Sequence, residues 1–251
     1  MILSGDQLYR MDFSKMVEEH LERGADVTVA AKPVAVSDAS GLGLLRVGES
    51  SKIVDFVEKP TDIEVISRLV PPELKASEDG QDRCLASMGI YVFNARAMED
   101  ALRGDTTDFG KEIIPSLFGK KDIRCHIFDD YWEDIGTVKA FFDANLQLTD
   151  EVPAFDFYEG NRPIYNRPDV LPTAKLGKCS VTSSTIAAGC MVGESALNRC
   201  VLSERSIIGK GCNLESVVMM GSDYYDDHRH QDITRLGVGD GTQIQNAIID
   251  K

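Results

Sequence analysis

The chain has 251 residues, 43% of them apolar and 27% charged, with no apolar run near bilayer length; it reads as soluble and globular, with no membrane role. A formal charge of −14, from 27 basic and 41 acidic residues, repels polyanions and argues against general nucleic-acid binding through phosphate neutralisation. Small phosphorylated substrates stay open, because a few placed cations dominate a pocket locally. The six cysteines form no CxxC pair and are too dispersed for a zinc ribbon, so reduced, partly buried thiols are expected.

Taken in chain order, residues 12–23 place Phe13, Met16, Val17 and Leu21 at helical spacing, with Asp12 as N-cap and Gly24 just past the end. The β-branched run Asp26–Ala31 is a strand, and Leu44–Val47 with Ile53–Val57 reads as a hairpin about Gly48–Ser51. Residues 61–83 read as a short helix followed by a surface loop. Leu85–Phe93 is a strong buried strand, and helices follow around Ala95–Leu102 and Ile113–Leu117. Ile123–Phe128 is a further strand, and Val138, Phe141, Phe142, Asn145 and Leu146 mark the last amphipathic helix, ending near Thr149. Strands interleaved with helices over residues 1–150 indicate an α/β layer domain with a mostly parallel sheet and an antiparallel excursion.

The pattern then changes. Residues 151–175 carry Pro153, Pro163, Pro168 and Pro172 and have linker composition. Over residues 176–251 apolar residues recur about every six positions: Val181, Ile186, Met191 or Val192, Leu197, Val201 or Leu202, Ile207 and Val217, with glycines between them. That period is expected of a left-handed β-helix in which each side of a triangular coil points one aliphatic residue inward. Residues 221–235 are expected to leave the coil, and Gly237–Lys251 to resume it.

Three segments carry candidate chemistry. Ser4-Gly5-Asp6 is expected where a strand ends and a helix begins, the place where open sheets present ligands; a carboxylate there can hold a divalent metal against a phosphate. In Glu58-Lys59-Pro60 the proline excludes the helical conformation at Lys59 and is expected to hold it extended, where an ammonium can meet a phosphate. Asp130–Thr137 combines the only tryptophan, three acids and a glycine with Thr137 as a helix cap. Taken singly, Gly-Asp turns and Glu-Lys pairs are more often solvated surface than site.

Taken together, the segments ILSGDQLYRMDF, FVEKP, LASMGIYVF, DFGKEIIPSLF, DDYWEDIGTVKAFFDANLQL, FYEGNRPIY and VMMGSDYY resemble the ADP-glucose pyrophosphorylase family, in its plant and algal forms. The resemblance implies adenylyl transfer from ATP to glucose 1-phosphate with Mg²⁺, giving ADP-glucose and pyrophosphate in starch or glycogen synthesis. It implies a Rossmann-like nucleotidyltransferase domain followed by the β-helix. Residue by residue, Asp6 and Asp134 match the metal-binding aspartates, and Lys59 the lysine for the sugar phosphate. Gly43, Glu58, Ser87, Asp108, Phe109 and Trp132 match positions lining the sugar. A homo- or heterotetramer of related subunits is implied, in the plastid stroma for a plant or green alga and otherwise in the cytoplasm.

The chain also departs from the family. Leu42 stands where an aromatic residue usually precedes the glycine of the loop Asp38–Gly43. The opening glycine-rich loop that cradles ATP phosphates has no counterpart, nor has the C-terminal lysine used by plant forms for their activator. A chain cut short at both ends, carrying the sugar-phosphate and metal half and inactive alone, is therefore expected. Two alternatives stand beside it: a non-catalytic regulatory subunit of a hetero-oligomer, and another sugar-1-phosphate nucleotidyltransferase, one making UDP- or dTDP-glucose.

Overall fold

The computed structural model describes residues 1–76, 80–104, 106–165, 170–225 and 236–250, and divides into two compact units, Met1–Trp132 and Glu133–Lys251. In chain order the first unit contains β1 (Gln7–Tyr9), α1 (Phe13–Glu22), β2 (Val27–Ala35), β3 (Gly43–Val47), β4 (Ile53–Glu58), α2 (Ile63–Arg68), β5 (Arg83–Phe93), α3 (Ala95–Ala101), α4 (Ile114–Leu117) and β6 (Ile123–Ile127). The strand β7 (Trp132–Asp134) straddles the division.

Helix α1 starts where Asp12 accepts the amide of Ser14 at 3.0 Å, and it ends at Gly24, whose φ of +59° suits a residue without a Cβ. Its buried face differs from the expected one. Met16 is fully buried, but Leu21 is 71% exposed and His20 turns inward, its Nδ1 2.8 Å from Thr28 Oγ1 on β2. A polar residue is tolerated there because its partner satisfies it, and burial depresses its pKa.

The five-stranded sheet runs β4-β3-β5-β2-β6. Only β2–β6 is parallel, so in this sheet the antiparallel pairing expected as an excursion predominates, taking in β4–β3, β3–β5 and β5–β2; the parallel pairing that dominates the chain lies in the second unit. The hairpin accounts for one of these, and β3 and β2 both pair with β5, the longest strand. Pro33 is accommodated within β2 because it lies beyond Ala31, the last residue paired to β6. One face buries Val29, Ala31, Leu45, Leu85 and Tyr91 with Ile114 and Leu117; the other buries Ala30, Met88, Ile90 and Trp132 against Met16.

In the second unit, α5 (Val138–Gln147) is capped by Thr137, whose Oγ1 accepts from the amide of Ala140 at 3.1 Å. Its Leu146 packs with Val201 and Val218, while Val138 stays exposed. The remaining strands form a parallel coil: β8 (Lys175–Leu176), β9 (Ser180–Thr182), β10 (Thr185–Ile186), β11 (Met191–Val192), β12 (Ala196–Asn198), β13 (Val201–Leu202), β14 (Ile207–Ile208), β15 (Asn213–Met219) and β16 (Gln243–Ile249). Most strand pairs of the chain are therefore parallel.

Partners on successive turns, such as Lys175, Met191 and Ile207, lie about 16 residues apart, so a side is slightly shorter than a full hexapeptide on average. That shortening shifts some inward positions from those expected: Val192, Leu197, Leu202, Ile208, Leu214 and Val217 fill the interior, with Ile208 taking the place expected of Ile207 and Met191 39% exposed. Val181 is in register with Leu197 and is exposed because it lies on the outer turn. Cys190, Cys200 and Cys212 also lie in this interior, and all six cysteines are free. The coil rises over a column of glycines: a Cβ on Gly193 would lie 2.5 Å from Gly209 O. Of the segment expected to leave the coil, residues 226–235 lie outside the described residues.

Candidate functional site

Strand β5 shapes the candidate site. Against β2, Ala31 pairs with Ser87 but Val29 pairs with Tyr91, so β5 bulges over Met88–Ile90. Gly89 sits in the bulge with φ +68°, and a Cβ there would lie 3.0 Å from Ser4 Cβ. This close approach lets the segment Ile2–Ser4 lie along β5: Ile2 N donates to Tyr91 O at 2.8 Å, and Ser4 N to Gly89 O at 3.1 Å.

Beside the bulge lies an open cleft of about 500 Å³, lined by Ile2, Leu3, Ser4, Gly89, Tyr91, Thr107, Asp108, Phe109 and Gly110. The Phe109 ring stacks on Tyr91 with centroids 5.8 Å apart and planes 21° apart. Asp108 begins a wide helical turn (Phe109–Ile113) and accepts the amide of Lys111 at 2.9 Å through Oδ1. Glu112 Oε2 returns to accept the amides of Thr107 and Asp108 at 2.9 and 3.3 Å, fixing the turn.

Glu58, at the end of β4, pairs in register with Gly43 on β3. A Cβ on Gly43 would lie 2.7 Å from Glu58 Oε2, and one on Gly110 would lie 3.0 Å from it, so the carboxylate occupies the space two glycines leave. Burial raises the Glu58 pKa, with the charge of Asp108 adding to it and those of Lys59 and Lys111 opposing it. Burial likewise raises the Tyr91 phenol, reinforced by the charges of Glu58 and Asp108 and opposed by its hydrogen bond with Ser87, so Tyr91 remains a donor at neutral pH.

Lys59 is not extended as expected. Its φ is +47°, in the left-handed region, and its amide donates to Leu42 O at 3.2 Å. Pro60 disfavours the right-handed helical basin and the bond to Leu42 selects the left-handed one, storing backbone strain at a candidate binding residue. Leu42 itself packs against two apolar clusters, so its side chain serves the core. Asp6 lies in a bend that leads into the short strand β1 rather than directly into a helix. Its Oδ1 accepts from Ser4 Oγ at 2.5 Å and from Gln7 Nε2 at 3.4 Å. The bond from Ser4 lowers its pKa most, with a smaller contribution from the charge of Lys59.

Of the residues singled out from sequence, Gly43, Glu58, Ser87, Asp108 and Phe109 gather at or beside the cleft, and Lys59 follows Glu58 directly. Trp132 does not line it: the ring is 7% exposed, among Met16, Met88, Ile90 and Phe128, with Nε1 lacking a hydrogen-bond partner. Asp134 belongs to the second unit, where its Oδ1 accepts the amide of Gly136 at 2.9 Å. Tyr91, Gly89 and Gly110 were missed; a glycine inside an otherwise apolar strand was the available signal for the bulge. Among the described residues no three His, Cys, Asp or Glu side chains are grouped to hold a metal ion.

The cleft thus offers carboxylates that accept from hydroxyls and aromatic faces for a ring, with a lysine at its border. The family model described as Nucleotidyl transferase matches residues 1–151. The chain belongs to the nucleotidyl transferase family. A second model, the GLGC left-handed parallel beta-helix domain, matches residues 169–251 and identifies the coil as left-handed. Together the two domains of this nucleotidyl transferase fit the ADP-glucose pyrophosphorylase family and imply a nucleotide and a sugar phosphate as substrates. No helix among its described residues is long and apolar enough to cross a membrane.

Proposed function

We propose that the protein serves adenylyl transfer from ATP to glucose 1-phosphate, releasing pyrophosphate and forming ADP-glucose for storage-polysaccharide synthesis. The observation that carries this reading is the Glu58 carboxylate held between Gly43 and Gly110 beside the Tyr91–Phe109 stack, with Lys59 next in the chain. Glu58, Asp108 and Ser87 serve the sugar hydroxyls, and Lys59 the phosphate. The phosphate is already a nucleophile, so alignment and charge neutralisation supply the catalysis.

Asp6 and Asp134 are our candidates for the ligands of Mg²⁺, which neutralises charge on the phosphates when bound. Their hard carboxylate oxygens suit that ion, and Mg²⁺ ordinarily takes only one or two carboxylates, completing its shell with water and phosphate. A tetramer of related subunits remains part of the proposal.

Calorimetric titration with glucose 1-phosphate reads the acceptor site alone. Saturable binding, weakened by roughly tenfold or more in Lys59→Ala, is expected; equal binding by wild type and variant refutes the phosphate role. Pyrophosphate release with ATP, UTP and dTTP, using the chain assembled with related subunits, reads the donor; preference for a pyrimidine nucleotide refutes adenylyl transfer. Asp134→Ala in the same assay is expected to cost more than about tenfold.

A further inference from the structure

Away from the Glu58 cleft, the first unit carries a second depression of about 570 Å³, between the β3–β4 turn and the turn that precedes β6. Its lining brings together Lys52, Lys120, Lys121 and Arg124 against one carboxylate, Asp122. In a chain of formal charge −14 this is a local inversion of sign, and it has a shaped cavity to act on.

Two of the four cations are fixed. Arg124 binds Asp122 Oδ2 through Nε at 2.9 Å and Nη2 at 2.8 Å, and donates from Nη1 to Ser50 O at 2.7 Å. Lys121 Nζ lies 2.8 Å from Asp100, which also faces Arg103 at 3.5 Å. The backbones are fixed as well: Lys52 bridges to Arg124, and the amides of Lys120 and Lys121 both donate to Leu117 O beyond Gly119, whose φ is +73°.

The other two cations are uncommitted. Lys52 and Lys120 are exposed and make no ion pair among the described residues. Asp122 pairs with neither of them: its Oδ2 is held by Arg124, and its Oδ1 is buried. Exposed lysines on a convex surface are ordinarily solvated and worth little; here they border a cavity whose floor already holds a guanidinium in place.

We propose that this cleft binds a small phosphate ester, its phosphate held by Lys52 and Lys120 above Arg124 and Lys121. The volume falls in the range of small-molecule sites, leaving room for an organic part that a bare phosphate would not fill. The site is separate from the Glu58 cleft and does not depend on the reaction assigned there.

Calorimetry on the whole chain tests it, at an ionic strength held constant with chloride, using glycerol 3-phosphate and inorganic phosphate as probes. Wild type, Lys59→Ala and the double variant Lys52→Ala/Lys120→Ala are compared. The ester is expected to bind wild type and Lys59→Ala alike, and the double variant roughly tenfold more weakly. Inorganic phosphate is expected to bind more weakly than the ester. Both substituted lysines are exposed, so an unchanged thermal midpoint accompanies these results. The proposal is overturned if the double variant binds as wild type does, if Lys59→Ala abolishes binding, or if inorganic phosphate matches the ester.

Discussion

Gly43→Ala tests the arrangement of the candidate sugar cleft most directly. The new methyl would lie 2.7 Å from Glu58 Oε2 and 2.8 Å from Phe56 Cζ, distances real Cβ atoms essentially never show. The carboxylate sits at the end of a flexible chain and can swing away. The Phe56 ring packs against the core cluster of Leu45, Ile53 and Leu85 and cannot move freely. Overpacking of this kind costs about 1–3 kcal/mol, and each kcal/mol lowers the unfolding midpoint of a domain this size by about 2–4 °C. Displacing Glu58 would also forfeit the bond to a sugar hydroxyl proposed for it, about 1.5–3 kcal/mol, or roughly tenfold or more in affinity. Differential scanning calorimetry and titration with glucose 1-phosphate read the two effects separately. A variant that loses stability but keeps affinity removes Glu58 from the sugar site, and one that changes in neither respect refutes the geometry itself.

Burial raises the Glu58 pKa, so the fold disfavours its charged form; that penalty is absent below the usual carboxylate range and complete once pH exceeds the raised value. Glu58→Gln is therefore expected to raise the unfolding midpoint relative to wild type near about pH 7 and to match it near about pH 4, a difference that thermal melts at the two pH values check. Lys59→Gly and Lys59→Ala should lose glucose 1-phosphate affinity equally. Only glycine relieves the left-handed backbone, so the Gly variant should be the more stable by about 1 kcal/mol in denaturant titration. In the coil, Gly193→Ala sets a methyl 2.5 Å from Gly209 O and 2.8 Å from its carbonyl carbon. Backbone cannot swing aside as a side chain does, so a loss of about 3 kcal/mol or more is expected by calorimetry.

Most elements were legible because their signals are local. Asp12 and Thr137 cap the helices they were expected to cap, and the hairpin about Gly48–Ser51 falls where the chain alternates around a turn. What was not legible depends on partners supplied by other elements of the fold. Leu21 fits the helical period, yet Thr28 on β2 offers His20 a hydrogen bond, and His20 faces inward instead. Lys59 precedes a proline, which argues for extended backbone, yet the carbonyl of Leu42 selects a positive φ. Trp132 matches a sugar-lining position by motif, but its ring is buried among residues from α1, β2 and β5. Tyr91 is the converse case, an unremarked residue of a buried strand brought to the cleft by the bulge at Gly89.

The coil's in-register ladder makes its stability graded rather than uniform. Each turn contacts only its neighbours, so the turn of β11, β12 and β13 is braced from both sides, while that of β8, β9 and β10 is braced from one among the described residues. Ser180, Val181 and Thr182 on that outer turn are all exposed, whereas Leu197 and Leu202 on the next are sealed. The last turn is in the same position, since β16 pairs only with β15 among the described residues, so opening of the coil proceeds inward from the turns braced on one side and its amides exchange with solvent in order of their distance from the nearer of them.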